Sequence, residues 1–183
     1  MAKAVRMVAL LRGINVGGNK KVPMAELRAL AVELGWSEVA TYVQSGNLVG
    51  SAAVAADVAA TQLERALASH FGFVVPVVVR AGDAFVREVA ACPFADGEPA
   101  QVHLGCSRSP LRAAMAKEIA AFATMGECVA VCGQALWIDF AGGVARSKLT
   151  SALLDRVVGG VVTLRNLNSA RAIVGLVAGE VGA

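Results

Sequence analysis

The order in which strand-like and helix-like segments follow one another constrains this fold most, because the same order occurs twice. The first half reads as strand Val5 to Leu11, helix Met24 to Leu34, strands Ala40 to Val43 and Leu48 to Gly50, helix Asp57 to Phe71, strand Val74 to Arg80, and helix Asp83 to Ala91. The second reads as strand Gln101 to Cys106, helix Leu111 to Phe122, strands Cys128 to Cys132 and Ala135 to Phe140, helix Lys148 to Val157, strand Val161 to Arg165, and helix Asn168 to Val177. Val77-Val78-Val79-Arg80 entering a helix parallels Val162-Thr163-Leu164-Arg165 entering a helix, and the hairpin corners Ser45-Gly46 and Gly133-Gln134 hold matching places. The expectation is an α+β fold made by tandem duplication of two ferredoxin-like (βαββαβ) units, with antiparallel sheets and helices on one face. The Pro and Gly residues from Pro93 to Pro99 mark the junction, which divides the chain into an N-terminal half, 1–95, and a C-terminal half, 96–183.

Among the helices the first is the most sharply written. Met24, Leu27, Leu30 or Ala31, and Leu34 recur at helical spacing, with Pro23 at the first turn and Gly35 past the end. A chain of 183 residues that is 56% hydrophobic and 17% charged can bury such faces in packed cores. No apolar run approaches the ~18 residues of a membrane span. Met7 to Leu11, closed by Arg12, is too short for a signal-peptide core, so a cytoplasmic protein with no membrane partner is expected. The net charge of +3 comes from scattered Lys and Arg, which permits contact with a polyanion without demanding it.

Metal and nucleophilic chemistry are sparsely supplied. Cys92, Cys106, Cys128 and Cys132 lack the paired C-x-x-C spacing of a zinc site and are expected to be reduced, buried apolar residues. Of the two histidines, His70 beside Phe71 reads as a helix C-terminal cap, and His103 lies in a strand. Asp139 and Asp155 are not placed together by any pattern, and their default is a solvated edge and a helix surface. No metal and no cofactor are expected, and no catalytic residue is specified.

The segment Leu10 to Lys21 is where a ligand is most readily accommodated. An apolar strand breaks there into Arg12-Gly13-Ile14-Asn15-Val16-Gly17-Gly18-Asn19-Lys20-Lys21 just before the first helix. Gly13, Gly17 and Gly18 can bring backbone N–H groups to a phosphate or carboxylate while Arg12, Lys20 and Lys21 supply charge. The segment does not spell a G-x-G-x-x-G or G-K-[ST] phosphate motif. Equally, it can be a connection that needs positive φ, with Asn15 and Asn19 bonding their own backbone and Glu26 already complementing the helix dipole. Arg12 is expected to contact ligand, and Arg28 on the adjacent helix to be solvated.

A second candidate is Gln44-Ser45-Gly46-Asn47, foremost a tight turn between strands, since Ser-Gly is a common turn pair and Asn tolerates the left-handed region. Gln44 and Asn47 also place two amides at one sheet end, where they suit binding better than acid-base work, because neither titrates near pH 7. Further along, Arg146-Ser147-Lys148 reads as a helix start capped by Ser147, and Arg165-Asn166-Leu167-Asn168-Ser169 passes from strand to helix with Asn or Ser capping. Capping does not require Arg146, Lys148, Arg165 or Arg171, so a basic, amide-rich surface is expected there.

Three of these segments, Leu11 to Gly18 with Pro23 to Arg28, Thr41 to Asn47, and Ser147-Lys148-Leu149 with Arg165 to Asn168, together resemble the bacterial domain of unknown function 1697 family. The resemblance runs from the first strand to the last helix. It implies a cytoplasmic, uncharacterised protein with an α+β fold of two related halves, and neither an established cofactor nor an established reaction. The chain departs from the family pattern at Gly50, Leu167 and Ser169, so no aromatic stacking role carries over to position 167. The leading expectation for function is a polar site for a small anionic or phosphorylated ligand, with the Arg12 loop and the Gln44 turn as its walls. If catalysis occurs there, charge stabilisation by Arg12, Lys148 and backbone N–H groups is what these residues offer. A nucleic-acid or nucleotide-binding module is the alternative, weakened by an aromatic content of 5% without an RNP-like run. A protein-interaction module without catalysis is the third, and the oligomeric state is left open.

Overall fold

The structure is a computed structural model that describes residues 3–179. Strands β1 (Val5–Leu11), β2 (Ser37–Tyr42), β3 (Asn47–Ala52) and β4 (Val77–Ala81) form one four-stranded antiparallel sheet in the order β2-β3-β1-β4. Strands β5 (Val102–Ser107), β6 (Cys128–Cys132), β7 (Ala135–Asp139) and β8 (Val162–Asn166) form a second in the order β6-β7-β5-β8. The two orders are identical by position, as a tandem ferredoxin-like duplication requires. Val8 stands opposite Arg80 across β1 and β4, and Leu104 stands opposite Arg165 across β5 and β8. The strand parallel read from sequence is therefore also a parallel of register.

Helices α1 (Met24–Glu33) and α2 (Ala56–Phe71) cover one face of the first sheet. From α1, Met24, Leu27, Leu30 and Ala31 meet Met7, Ala9 and Leu11 of β1, and α2 adds Ala59, Ala60, Leu63 and Leu67. Both helices end on glycines in the left-handed region, Gly35 (φ 85°) and Gly72 (φ 77°). In the second sheet the corresponding face, Leu136 and Ile138, packs on α4 (Ala114–Ala120) and α5 (Ser151–Val158) through Met115, Ile119, Leu153 and Leu154. The alternate residues of the central strands, Val8 and Leu10 in β1 and Leu104 and Cys106 in β5, are buried as well. Both faces of these central strands are thus withdrawn from water, which is why they read as unbroken apolar runs.

By element order the repeat divides near residue 95, whereas by packing the described residues up to Val86 group with those from Ala172 onward, and Arg87–Arg171 form the other unit. These boundaries fall inside α3 (Gly82–Ala90) and α6 (Leu167–Ala178). Inside the first unit, Arg6 Nη2 donates to Leu176 O at 2.9 Å, and a Cβ on Gly82 would lie 2.9 Å from Val177 Cγ1.

Several local expectations are corrected. Strand β4 starts at Val77 and not Val74, because Pro76 has no N–H to give a ladder. The helix expected from Lys148 starts at Ser151, where the Thr150 hydroxyl accepts from Leu153 N at 3.3 Å, so Thr150 and not Ser147 is the cap. Of the four thiols expected to be buried, only Cys106 is; Cys92 and Cys132 are half-buried and Cys128 is exposed, and all four are free.

Candidate functional site

One end of the first sheet gathers the loop after β1, the β2–β3 turn and the chain entering β4. Arg12 N donates to Pro76 O at 3.0 Å, and Leu11 N to Gly46 O at 2.8 Å. The loop itself closes as a small hairpin, with Asn15 N bonded to Lys20 O (3.2 Å) and Asn19 N to Val16 O (3.1 Å). Asn15, at φ 55°, is its anchor: its Nδ2 donates to Val22 O (2.9 Å) and to Gln44 O (2.7 Å), and its Oδ1 accepts from Val22 N (2.9 Å). Lys20 Nζ donates to Val74 O at 2.8 Å. The Arg12 loop and the Gln44 turn, separate in sequence, therefore meet.

This geometry divides the residues singled out by sequence into two sets. Asn15, Gly46 and Asn47 hold the site together. Gly46 adopts φ 79°, and a Cβ there would lie 2.6 Å from Leu11 Cβ, so no other residue fits between turn and strand. Asn47 is fully buried, donating from Nδ2 to Tyr42 O and Ser45 Oγ at 3.0 Å each. Gly13, Gly17, Gly18, Lys21, Gln44 and Ser45 are exposed, and Arg12 is half-buried. Gly17 and Gly18, at φ 58° and 78°, have N–H groups that donate to no other group among the described residues. Arg28, expected to be solvated, is instead half-buried and donates from Nη1 to Thr41 Oγ1 at 2.7 Å. Glu26 does not stand alone at the start of α1, since His70 Nε2 lies 2.8 Å from its Oε2; the imidazole reaches across to α1 and does not cap its own helix.

The remaining candidates lie in the second unit and are mostly structural. Ser147 is half-buried; its hydroxyl donates to Glu127 Oε1 and accepts from Leu149 N at 3.1 Å. Glu127 Oε2 accepts from Met125 N (2.7 Å) and Thr124 N (3.0 Å). The Ser147 hydroxyl first, and then these backbone donors, hold the Glu127 carboxyl down at about 2. Sequence reading missed this carboxylate, since its importance comes from loops that only the fold brings together. Arg165 was expected on a basic surface and is corrected: it is buried, with Nη1 donating to Thr163 Oγ1 (2.9 Å) and Leu164 O (2.8 Å), and burial lowers its pKa to about 10. Asn166 caps α6 by accepting from Ser169 N at 2.9 Å. Lys148 and Asn168 are exposed. Asp155, placed by default on a solvated helix surface, accepts from Val162 N at 2.9 Å. Burial pushes the His103 imidazole below its ordinary value, partly offset by Gln101 O at 2.9 Å, and raises the Cys92 thiol. No group of three or more His, Cys, Asp or Glu is arranged for a metal among the described residues.

A cavity of about 550 Å³ opens at the opposite end of the first sheet, beside Arg6, Glu38 and Ser51. Its polar groups are mutually engaged: Arg6 Nη1 donates to Glu38 O (2.9 Å) and lies 3.6 Å from Glu38 Oε2, which also accepts from Ser51 (3.1 Å). No motif points there.

The loop–turn motifs also mark ancestry, since the family model described as "Protein of unknown function (DUF1697)" matches residues 5–137. The chain belongs to this family. No curated protein matches its sequence. Among solved structures it is similar to the conserved bacterial protein SP0830 from Streptococcus pneumoniae, at 23% identity and a TM-score of 0.72, over 96% of this chain and 99% of that one. At that identity the likeness shows the fold alone. Membership in the DUF1697 family brings no assigned activity, so function has to be argued from the loop–turn site. Among the described residues no helix is long and apolar enough to cross a membrane.

Proposed function

We propose that the loop–turn end of the first sheet is a binding site for a small anionic, phosphate- or carboxylate-bearing ligand. The observation that carries this reading is the Asn15 clamp. Its 2.7 Å bond to Gln44 O fixes loop against turn while leaving Gly17 and Gly18 exposed, with N–H groups that find no acceptor among the described residues. Ordered, solvent-facing N–H groups on a rigid glycine turn bind anions at little entropic cost. Lys21 adds an exposed cation, and the Gln44 amide adds donors and an acceptor. There is no acidic residue from Arg12 to Ala25 or from Val39 to Ala56, so the ligand meets no repulsion from either wall.

Thermal unfolding in rising inorganic phosphate tests the reading. The wild type should gain stability with concentration as a native-state ligand requires, and Lys21→Ala should lose most of that gain while melting as the wild type does without phosphate. Equal protection of both proteins, or none of either, rejects the site.

A further inference from the structure

We infer that the anion held at this end is the phosphate of a lipid headgroup in an anionic bilayer, on which the three connections rest; this deepens the anion reading and rests on it. Each connection presents an exposed valine: Val16 at 68% in the β1–α1 loop, Val43 at 52% in the β2–β3 turn, and Val74 at 68% in the chain leading to β4. The hydrogen bonds from Asn15 to Gln44 O and from Lys20 to Val74 O fix these three tips relative to one another. The nearby aromatics Phe71 and Phe73 are stacked on each other and, like Tyr42, half-buried, so the valines are the most exposed apolar side chains of these tips.

Charge selects the partner. Lys20, whose Nζ donates to Val74 O at 2.8 Å, and the exposed Lys21 stand beside the valines, and no Asp or Glu occurs in 12–25, 39–56 or 66–82. Of the carboxylates that reach this end of the sheet, Glu26 lies 2.8 Å from His70 Nε2 and Glu64 accepts from Val77 N at 2.9 Å. A small soluble ligand is held in a concavity that covers its apolar part. Valines half to two-thirds exposed on these connections cover nothing, and are themselves covered when the tips enter the boundary between headgroups and acyl chains. Bases beside them then lie at the height of lipid phosphates, where each adds to attraction that salt screens. Stacking on nucleic-acid bases calls for exposed aromatic faces, whereas Tyr42, Phe71 and Phe73 are half-buried and the exposed apolar groups are valines. That no helix among the described residues is long and apolar enough to cross a membrane bears on spanning a bilayer and not on resting against one.

Co-sedimentation with vesicles tests this. The full chain should sediment with vesicles of phosphatidylglycerol and phosphatidylcholine in equal parts, remain in solution with phosphatidylcholine alone, and be released by salt. Val16→Ser with Val74→Ser should weaken vesicle binding by about tenfold or more while keeping the wild-type protection by inorganic phosphate. Sedimentation unchanged by the valine substitutions overturns the inference. So does phosphate protection without vesicle binding, which leaves the small-anion reading standing alone. Binding of neither phosphate nor vesicles overturns both, and salt-sensitive binding of single-stranded RNA in place of vesicles overturns the lipid assignment.

Discussion

Glu127 shows how a single carboxyl organises chain that lies outside the strands and α-helices. It joins the loop before β6 to the chain before α5 by accepting from the Ser147 hydroxyl and from two backbone N–H groups. Those donors favour the ionised form, so the folded-state pKa falls from 4.5 to about 2. The sign follows from linkage: between those values the unfolded chain binds the extra proton, so this carboxyl's contribution is present above about 4.5 and is lost as pH drops toward 2. Urea unfolding across that range should show Glu127→Gln with a flatter loss of stability than the wild type. Ser147→Ala, which removes the principal donor and so brings the folded-state pKa back toward 4.5, should lose less stability over this range, with the loss ending at a higher pH than in the wild type. Parallel pH profiles for all three proteins would show that the carboxyl is not held down in the fold. Ser147 also explains part of what sequence left illegible. It has the composition of a helix cap, but its hydroxyl is committed to a carboxylate twenty positions away, and spacing along a chain does not report that.

Elements were read well where side-chain periodicity and glycine placement agreed, as in α1, where Met24, Leu27, Leu30 and Ala31 are the buried positions and Gly35 follows the end. They were read poorly where a tertiary bond sets a boundary. The helix expected from Leu111 begins at Ala114, and the Leu111 backbone is instead held by the Gln134 amide of the β6–β7 turn, whose Oε1 accepts from Leu111 N at 3.0 Å and whose Nε2 donates to Leu111 O at 3.4 Å. The two hairpin corners match in place but not in length, with Tyr42 pairing Asn47 and Cys132 pairing Ala135, so the first turn has room for Val43 and Gln44 where the second has none. Gly46 is the element-scale test of that first turn. Gly46→Ala combines a positive φ with a Cβ driven onto Leu11, and should cost about 3 kcal/mol or more. Gly72→Ala has nearly the same φ with nothing within 4 Å of the added Cβ, and should cost about 1–2 kcal/mol. Equal losses in chemical denaturation would mean that the close packing of turn on strand contributes nothing.

At the scale of the whole molecule, the repeat in sequence and the units in packing obey different constraints. Duplication copies a continuous segment, and the matching strand orders keep that record. Packing follows whatever surface is at hand, and the described residues from Ala172 on are grouped with the first sheet, where Leu176 O caps Arg6 and Val177 reaches Gly82. A fragment of residues 1–95 keeps every strand of the first sheet but leaves the Arg6 guanidinium without one of its acceptors and a strip of Gly82 bare. Ala4 and Gly179 line the same cavity, so a short linker can bridge from one to the other. A rearranged polypeptide that runs from 172–183 through that linker into 1–86 should therefore unfold cooperatively in urea. The 1–95 fragment should show a weaker, broader transition. If the 1–95 fragment is as stable and as cooperative as the rearranged chain, the C-terminal segment is only an appendage, and the sequence repeat is also the unit of folding.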